Sequence, residues 1–178
     1  MDNLLRWYAV YTRSRFEKKS AFLLNEQGIE AYVPLRRVLR QWSDRRKLVL
    51  EPVIRSYVFV KTNNVLYEKV LGIEGVVRYI YFGGKPASIP DHQIETLKTM
   101  VGTDLEIECT PDCLKPGMHV IVTEGPLAGM EGELVQFRGK QKVAVRIQAI
   151  QQVVMVTIAP QMLKPMKEND WELVIRGW

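Results

Sequence analysis

Two cysteines and two histidines in 178 residues leave little material for redox, metal or acid–base chemistry. Cys109 and Cys113 are too few for a disulfide framework, and their spacing is not the CxxC of zinc or thiol-redox sites. His92 and His119 fall in different predicted domains, and His92 beside Asp91 reads as a helix-start residue rather than a catalytic base. No Walker loop, GxSxG or HExxH occurs. Gly83-Gly84-Lys85 lacks the Ser or Thr that would hold a metal beside a phosphate, and reads as a β-turn. No enzyme, cofactor or metal site is expected. Long apolar runs are missing too, the longest being about five residues against the roughly 18–20 of a membrane span. Met1–Arg6 has no cationic start followed by an apolar core, so a soluble cytoplasmic protein without a membrane partner is expected.

What is present is a 47% hydrophobic chain, enough for one ordinary domain or two small ones, with an uneven charge. Residues 1–61 carry 13 Lys and Arg against 6 Asp and Glu, whereas residues 62–178 carry 12 against 14. The basic character is thus confined to the first third, which suggests a surface there that faces a polyanion. A basic but merely solvated surface fits the charge equally well.

The periodicity predicts an α+β sheet with helices packed on it, then a small β-barrel. Arg6–Thr12 is dense in aromatic and β-branched residues and reads as a strand. Ser14 and Glu17 fit a capping box for a helix that ends at Gly28. Its predicted buried side is Phe16, Ser20, Leu23, Leu24 and Gln27, with Arg15, Lys18 and Lys19 lying off it. A short strand over 31–34 precedes an arginine-rich hairpin with Trp42 and a tip at Ser43-Asp44. Strands over 53–60 and 76–82 flank a short helix over 65–71, capped by Asn63 or Asn64, and a helix over 91–101 follows. Residues 102–113 are acidic and irregular and read as a linker. Short strands at 119–122, 133–137, 142–147 and 153–158 then suggest the barrel. A tail over 165–178 contains the apolar Trp171–Ile175, with no role assigned.

Two separated patterns share one resemblance. Trp7-Tyr8-Ala9-Val10-Tyr11-Thr12, Glu17-Lys18-Lys19, Tyr32-Val33-Pro34, Ser56-Tyr57-Val58-Phe59-Val60, Gly75-Val76-Val77 and Lys85-Pro86 resemble the N-terminal (NGN) domain of NusG-like transcription elongation factors. Pro116-Gly117, Val120, Val122, Gly125-Pro126-Leu127-Ala128-Gly129 and Gly132 resemble the KOW motif of the SH3-like barrel that follows it in that family. Together they cover roughly residues 6–164. The resemblance implies an NGN-like polymerase-binding domain over 1–101, a linker over 102–113 and a KOW barrel over 114–164. It implies docking on the clamp helices of the large RNA polymerase subunit, less pausing and read-through of terminators. The KOW barrel would recruit a ribosomal protein or a termination factor. Tyr11, Tyr57 and Phe59 match the clamp-binding positions, although Phe59 reads equally well as core. Arg13 matches a basic position near the non-template DNA strand; Arg15, Lys18, Lys19, Arg36, Arg37 and Arg40 are added on charge, toward that strand or nascent RNA.

Three departures qualify the match. The usual Pro-Gly-Tyr before the central strand is Arg55-Ser56-Tyr57. Leu23, Glu26, Gln27 and Glu74 stand where specialised antiterminators carry the polar or basic residues that read DNA bases. Leu66-Tyr67-Glu68 replaces a threonine-containing contact to the other large subunit. The arginine-rich hairpin and the tail are more like specialised, RfaH-like or UpxY-type paralogues that antiterminate long operons. The rival reading is an RNA-binding or ribosome-associated KOW protein that stacks bases on Trp42, Tyr8 and Tyr32. Against it, the barrel segment 115–164 carries only six basic residues to three acidic ones.

Overall fold

The computed structural model describes residues 3–41, 46–115 and 117–166. The predicted hairpin tip with Trp42 and the tail piece Trp171–Ile175 lie outside the described residues. The chain divides into two compact units, Met1–Ile94 and Glu95–Trp178, so the division falls before residue 101 and inside the last helix. Few helices and antiparallel sheets make it a mixed α+β protein. Among the described residues no helix is long and apolar enough to cross a membrane.

In the first unit, β1 (Arg6–Thr12) is followed by α1 (Glu17–Glu26), β2 (Ala31–Tyr32) and the β3 (Leu35–Gln41)–β4 (Arg46–Pro52) hairpin. Then come β5 (Tyr57–Thr62), α2 (Tyr67–Leu71), β6 (Val76–Tyr79), the β7 (Tyr81–Phe82)–β8 (Lys85–Pro86) turn, β9 (Ser88–Ile89) and the first residues of α3 (Asp91–Val101), the rest of which falls in the second unit. The main sheet runs β2-β5-β1-β6, and β9 pairs with the other end of β1. Alternation sends Tyr8, Val10, Val58 and Val60 to one face, where they meet Ala21 and Leu24 of α1 and Val70 of α2. Trp7, Ala9 and Phe59, on the opposite face, are buried as well, so the centre of the sheet is covered on both sides.

The helix start departs from the expected capping box. Glu17 opens α1 after Phe16, and no side chain caps it. The Glu17 carboxylate instead accepts the Ser56 N–H at 2.7 Å and is buried there. The strand expected from residue 53 begins only at Tyr57, because Ser56 sits at φ +63° in a turn. The backbone thus has a left-handed geometry that glycine adopts at less strain. A β-carbon there costs about 1–2 kcal/mol, and glycine's extra unfolded-state freedom costs about 0.5–1 kcal/mol. Ser56→Gly is therefore expected to stabilise the unit by about 0.5–1 kcal/mol, read as a higher urea midpoint at unchanged m-value. The expected Asn63 or Asn64 cap of α2 is not formed: the helix opens after Leu66 with no side-chain cap, and the Asn63 Oδ1 instead accepts the N–H groups of Val65 and Leu66 at 3.1 Å in the turn before it.

The second unit has β10 (Ile107–Pro111), β11 (Met118–Val122), β12 (Glu131–Phe137), β13 (Lys140–Ile147), β14 (Gln152–Val156) and β15 (Leu163–Pro165). They form one antiparallel sheet in the order β10-β14-β13-β12-β11-β15. Val135, Ala144, Val153 and Met155 cluster on one side. Val143, Val154 and Val156 are buried between them, so β13 and β14 are covered on both faces. The segment expected to be a linker supplies β10, which pairs with β14 from Ile107↔Val156 to Pro111↔Gln152. Two of its acidic residues, Glu108 and Asp112, have cationic partners far along the chain. The Glu108 carboxylate accepts the buried Lys142 ammonium at 2.8 Å, and Asp112 pairs with Arg146.

Candidate functional site

The covered second face of the first sheet opens at one end. Tyr11 and Tyr57 are directly opposite each other in the β1–β5 ladder, with rings edge to face at 5.7 Å. A register shift between Tyr11 and Thr12 bends β1 at this point. Arg78, the β6 residue paired with Tyr11, lies over the Tyr11 ring at 5.8 Å. Tyr11 is 37% exposed, while Phe59 is fully buried and stacked on Tyr32 at 6.4 Å. Phe59 therefore lies beneath exposed Tyr11 and half-buried Tyr57 rather than sharing their surface. Arg78 was not among the expected site residues; only the strand register reveals it.

The basic residues separate into groups. Arg13 is exposed beside this opening, its N–H donating to the Gly75 carbonyl at 2.8 Å. Lys19 pairs with Glu74 at 2.8 Å, so the acidic departure from the family pattern neutralises one expected cation. Arg40 donates Nε and Nη2 to Glu51 at 2.7 and 3.0 Å, and this bond holds the Glu51 carboxyl below its usual range. Arg36 and Arg37 lie on opposite faces of the hairpin by alternation, with Arg37 exposed. Arg15 and Lys18 are exposed on the α1 side that faces β4, where Lys18 donates to the Leu50 carbonyl at 3.1 Å. Leu23 is half-buried, and Glu26 and Gln27 are exposed.

The motif glycines of the second unit serve two geometries. Gly125 and Gly129 sit at φ +82° and +86° around Pro126 in the turn between β11 and β12. Gly117 and Gly132 allow close approach, since a β-carbon would lie 1.9 Å from the Leu134 carbonyl oxygen at Gly117 and 2.7 Å from Val143 at Gly132. Among the described residues no group of three or more His, Cys, Asp and Glu is placed to hold a metal. Cys109 donates to Gln152 at 3.3 Å, and Cys113 is exposed.

Exposed Tyr11, half-buried Tyr57 and a set of basic side chains thus stand on the first unit, and the second is built on one antiparallel sheet. The family model described as "Transcription termination factor nusG" matches residues 5–98, more than half of the chain. The chain is 27% identical over 157 residues to the "Transcription termination/antitermination protein NusG" of Haemophilus influenzae, covering 79% of this chain and 84% of that one. It is 28% identical over 159 residues to the protein of the same description from Pasteurella multocida, covering 80% and 86%. A solved structure titled "Domain interaction in Thermotoga maritima NusG" has a TM-score of 0.49 at 22% identity, over 92% of this chain and 98% of that one. This chain belongs to the NusG family, which consists of transcription factors rather than enzymes.

Proposed function

We propose that this protein is a transcription elongation and antitermination factor that docks on RNA polymerase through Tyr11 and Tyr57. NusG-family proteins bind RNA polymerase, and the curated relatives are described as termination/antitermination proteins. The observation that carries the reading is the edge-to-face pair of exposed Tyr11 and half-buried Tyr57 at the end of an otherwise buried sheet face. Large, stiff aromatic rings give much contact area for little lost entropy, and they dominate interface energetics. The partner surface is the clamp helices of the large subunit, and holding the clamp reduces pausing and promotes read-through. Arg13 and the basic α1–hairpin region face the non-template strand or nascent RNA. The second unit acts as the KOW barrel and takes a ribosomal protein or termination factor. The arginine-rich hairpin and the tail favour a paralogue that serves particular operons in the cytoplasm, while Glu26 and Glu74 at the positions of base readers mean that any sequence-specific DNA contact is made by other residues.

The test is an elongation complex on a template with a pause and a terminator, run with wild type and with Tyr11→Ala/Tyr57→Ala. Truncating two anchors at about 2 kcal/mol each should weaken polymerase binding by at least roughly 100-fold and abolish read-through. Circular dichroism checks that the variant is folded. A folded variant that still promotes read-through overturns the docking surface. A wild-type protein that ignores polymerase and binds free RNA overturns the whole reading.

A further inference from the structure

The chain enters α1 through Arg15, held at φ +67°. Opposite, β4 leaves the hairpin through Leu50, Glu51 and Pro52 and reaches the Arg55-Ser56 turn. The two segments are tied by the Glu17–Ser56 hydrogen bond and by Lys18 on the Leu50 carbonyl. Between them lies a cleft of about 550 Å³, to which Arg15, Lys18, Arg40 and Arg55 contribute side chains along with Glu17 and Glu51. That volume is within the range of small-ligand sites and is enough for one nucleotide.

The charges in this cleft do not cancel. Both carboxylates are engaged, Glu17 by the Ser56 N–H and Glu51 by both donors of Arg40. Lys18 gives one of its three donors to a carbonyl. Arg15 and Arg55 are exposed and make no ion pair among the described residues. Glu17 keeps its charge beside a neutral N–H and Glu51 is matched by Arg40, with Arg55 also acting on it, so the four cations of the cleft outnumber its two carboxylates and the forked guanidinium groups suit phosphate oxygens. Arg15 also occupies a left-handed backbone position that glycine would fill at less strain.

We propose that this cleft is a phosphodiester clasp that holds one backbone phosphate of a nucleic-acid strand between Arg15 and Arg55, with Lys18 as the third donor. It rests on the reading that the basic α1–hairpin region faces nucleic acid, and it adds Arg55 and the place of contact. Leu50 and Pro52 give an apolar wall for the sugar, and the clasp reads no bases, because phosphate contacts position a strand without specifying sequence.

The test uses the full chain and labelled single strands of one sequence, as DNA and as RNA, in anisotropy titrations at several salt concentrations. Arg15→Gly and Arg55→Ala should each weaken binding about three- to tenfold and reduce the salt slope by about 0.7. Arg37→Ala, a hairpin cation outside the cleft, should have a smaller effect. Arg15→Gly should also melt no lower than wild type, which separates lost contact from lost folding. The strand bound more tightly by wild type and more affected by the cleft variants identifies the source of the phosphate; equal effects mean the clasp accepts both. Unchanged binding by the cleft variants while Arg13→Ala or Arg37→Ala weakens it overturns the clasp and leaves the wider reading standing. Equal losses for Arg37→Ala and the cleft variants also overturn it, since they indicate a general positive field. Wild type that binds neither strand removes both.

Discussion

Gly117→Ala is expected to unfold the β10–β15 sheet while the hydrogen-exchange protection of β1 and β5 persists. The new β-carbon would lie 1.9 Å from the Leu134 carbonyl oxygen and 2.7 Å from its carbon. Both atoms are backbone of β12, so no side-chain rotation relieves the contact. The next residue, Met118, is paired directly with Leu134, and the Gly117 N–H donates to Glu133 at 3.2 Å. Separating the strands there breaks the ladder at its first rung. A loss of about 3 kcal/mol or more follows, a large share of the total stability of a small domain. Gly129→Ala is the informative contrast. Nothing lies within 4 Å of its added β-carbon, so only the φ +86° strain remains, at about 1–2 kcal/mol. Urea unfolding combined with peptide-resolved exchange separates the two: β11–β13 peptides should lose protection in the first variant and retain it in the second. A Gly117→Ala protein whose midpoint matches that of Gly129→Ala would show that β12 yields at little cost.

Local signals carried much of the fold. The aromatic and β-branched run at Arg6–Thr12 and the helical spacing over Asp91–Val101 match the observed elements end to end, because both are long and strongly patterned. The first helix start was misread because the Glu17 carboxylate has a better partner than its own helix end, the Ser56 N–H 39 residues away. The linker was misread for the same physical reason. Glu108 and Asp112 look solvent-seeking in the sequence, and their partners Lys142 and Arg146 lie 34 residues on. At the candidate site, Tyr11 and Tyr57 were visible as family positions, and Arg15, Lys18 and Arg40 as charge. Register and burial were not visible. They set Arg78 over Tyr11, bury Phe59, and bring Arg55 into the cleft with residues from two other elements.

Arg146→Met should release the 112–115 segment from the second sheet and cost about 2–4 kcal/mol, less than a fully buried pair because the site is partly open. From β13 the guanidinium reaches four acceptors. Nε donates to Glu133 at 2.8 Å, another nitrogen pairs with Asp112, and Nη2 donates to the carbonyls of Leu114 and Lys115 at 3.1 and 3.2 Å. Its side chain is 15% exposed and that of Glu133 14%, so removing the cation leaves a largely buried carboxylate and two carbonyls without their donor. Arg146→Lys should recover only part of the loss, since an ammonium can neutralise one carboxylate but cannot span acceptors on both β12 and the 112–115 segment. Arg146→Met/Glu133→Gln should lie closer to wild type than the single variant, because no isolated charge remains. The ladder to β14 and the Glu108–Lys142 bond still hold β10 in the single variant, so the change is local opening before global unfolding. Exchange in peptides over 107–115 should rise first and most. If β10 then detaches at mild urea, β14 becomes an open edge of four buried aliphatic residues, and the protein should self-associate with increasing concentration. Equal protection of 107–115 in Arg146→Met and wild type would mean that the β10–β14 ladder alone fixes the segment and that the arginine contributes only to the surface.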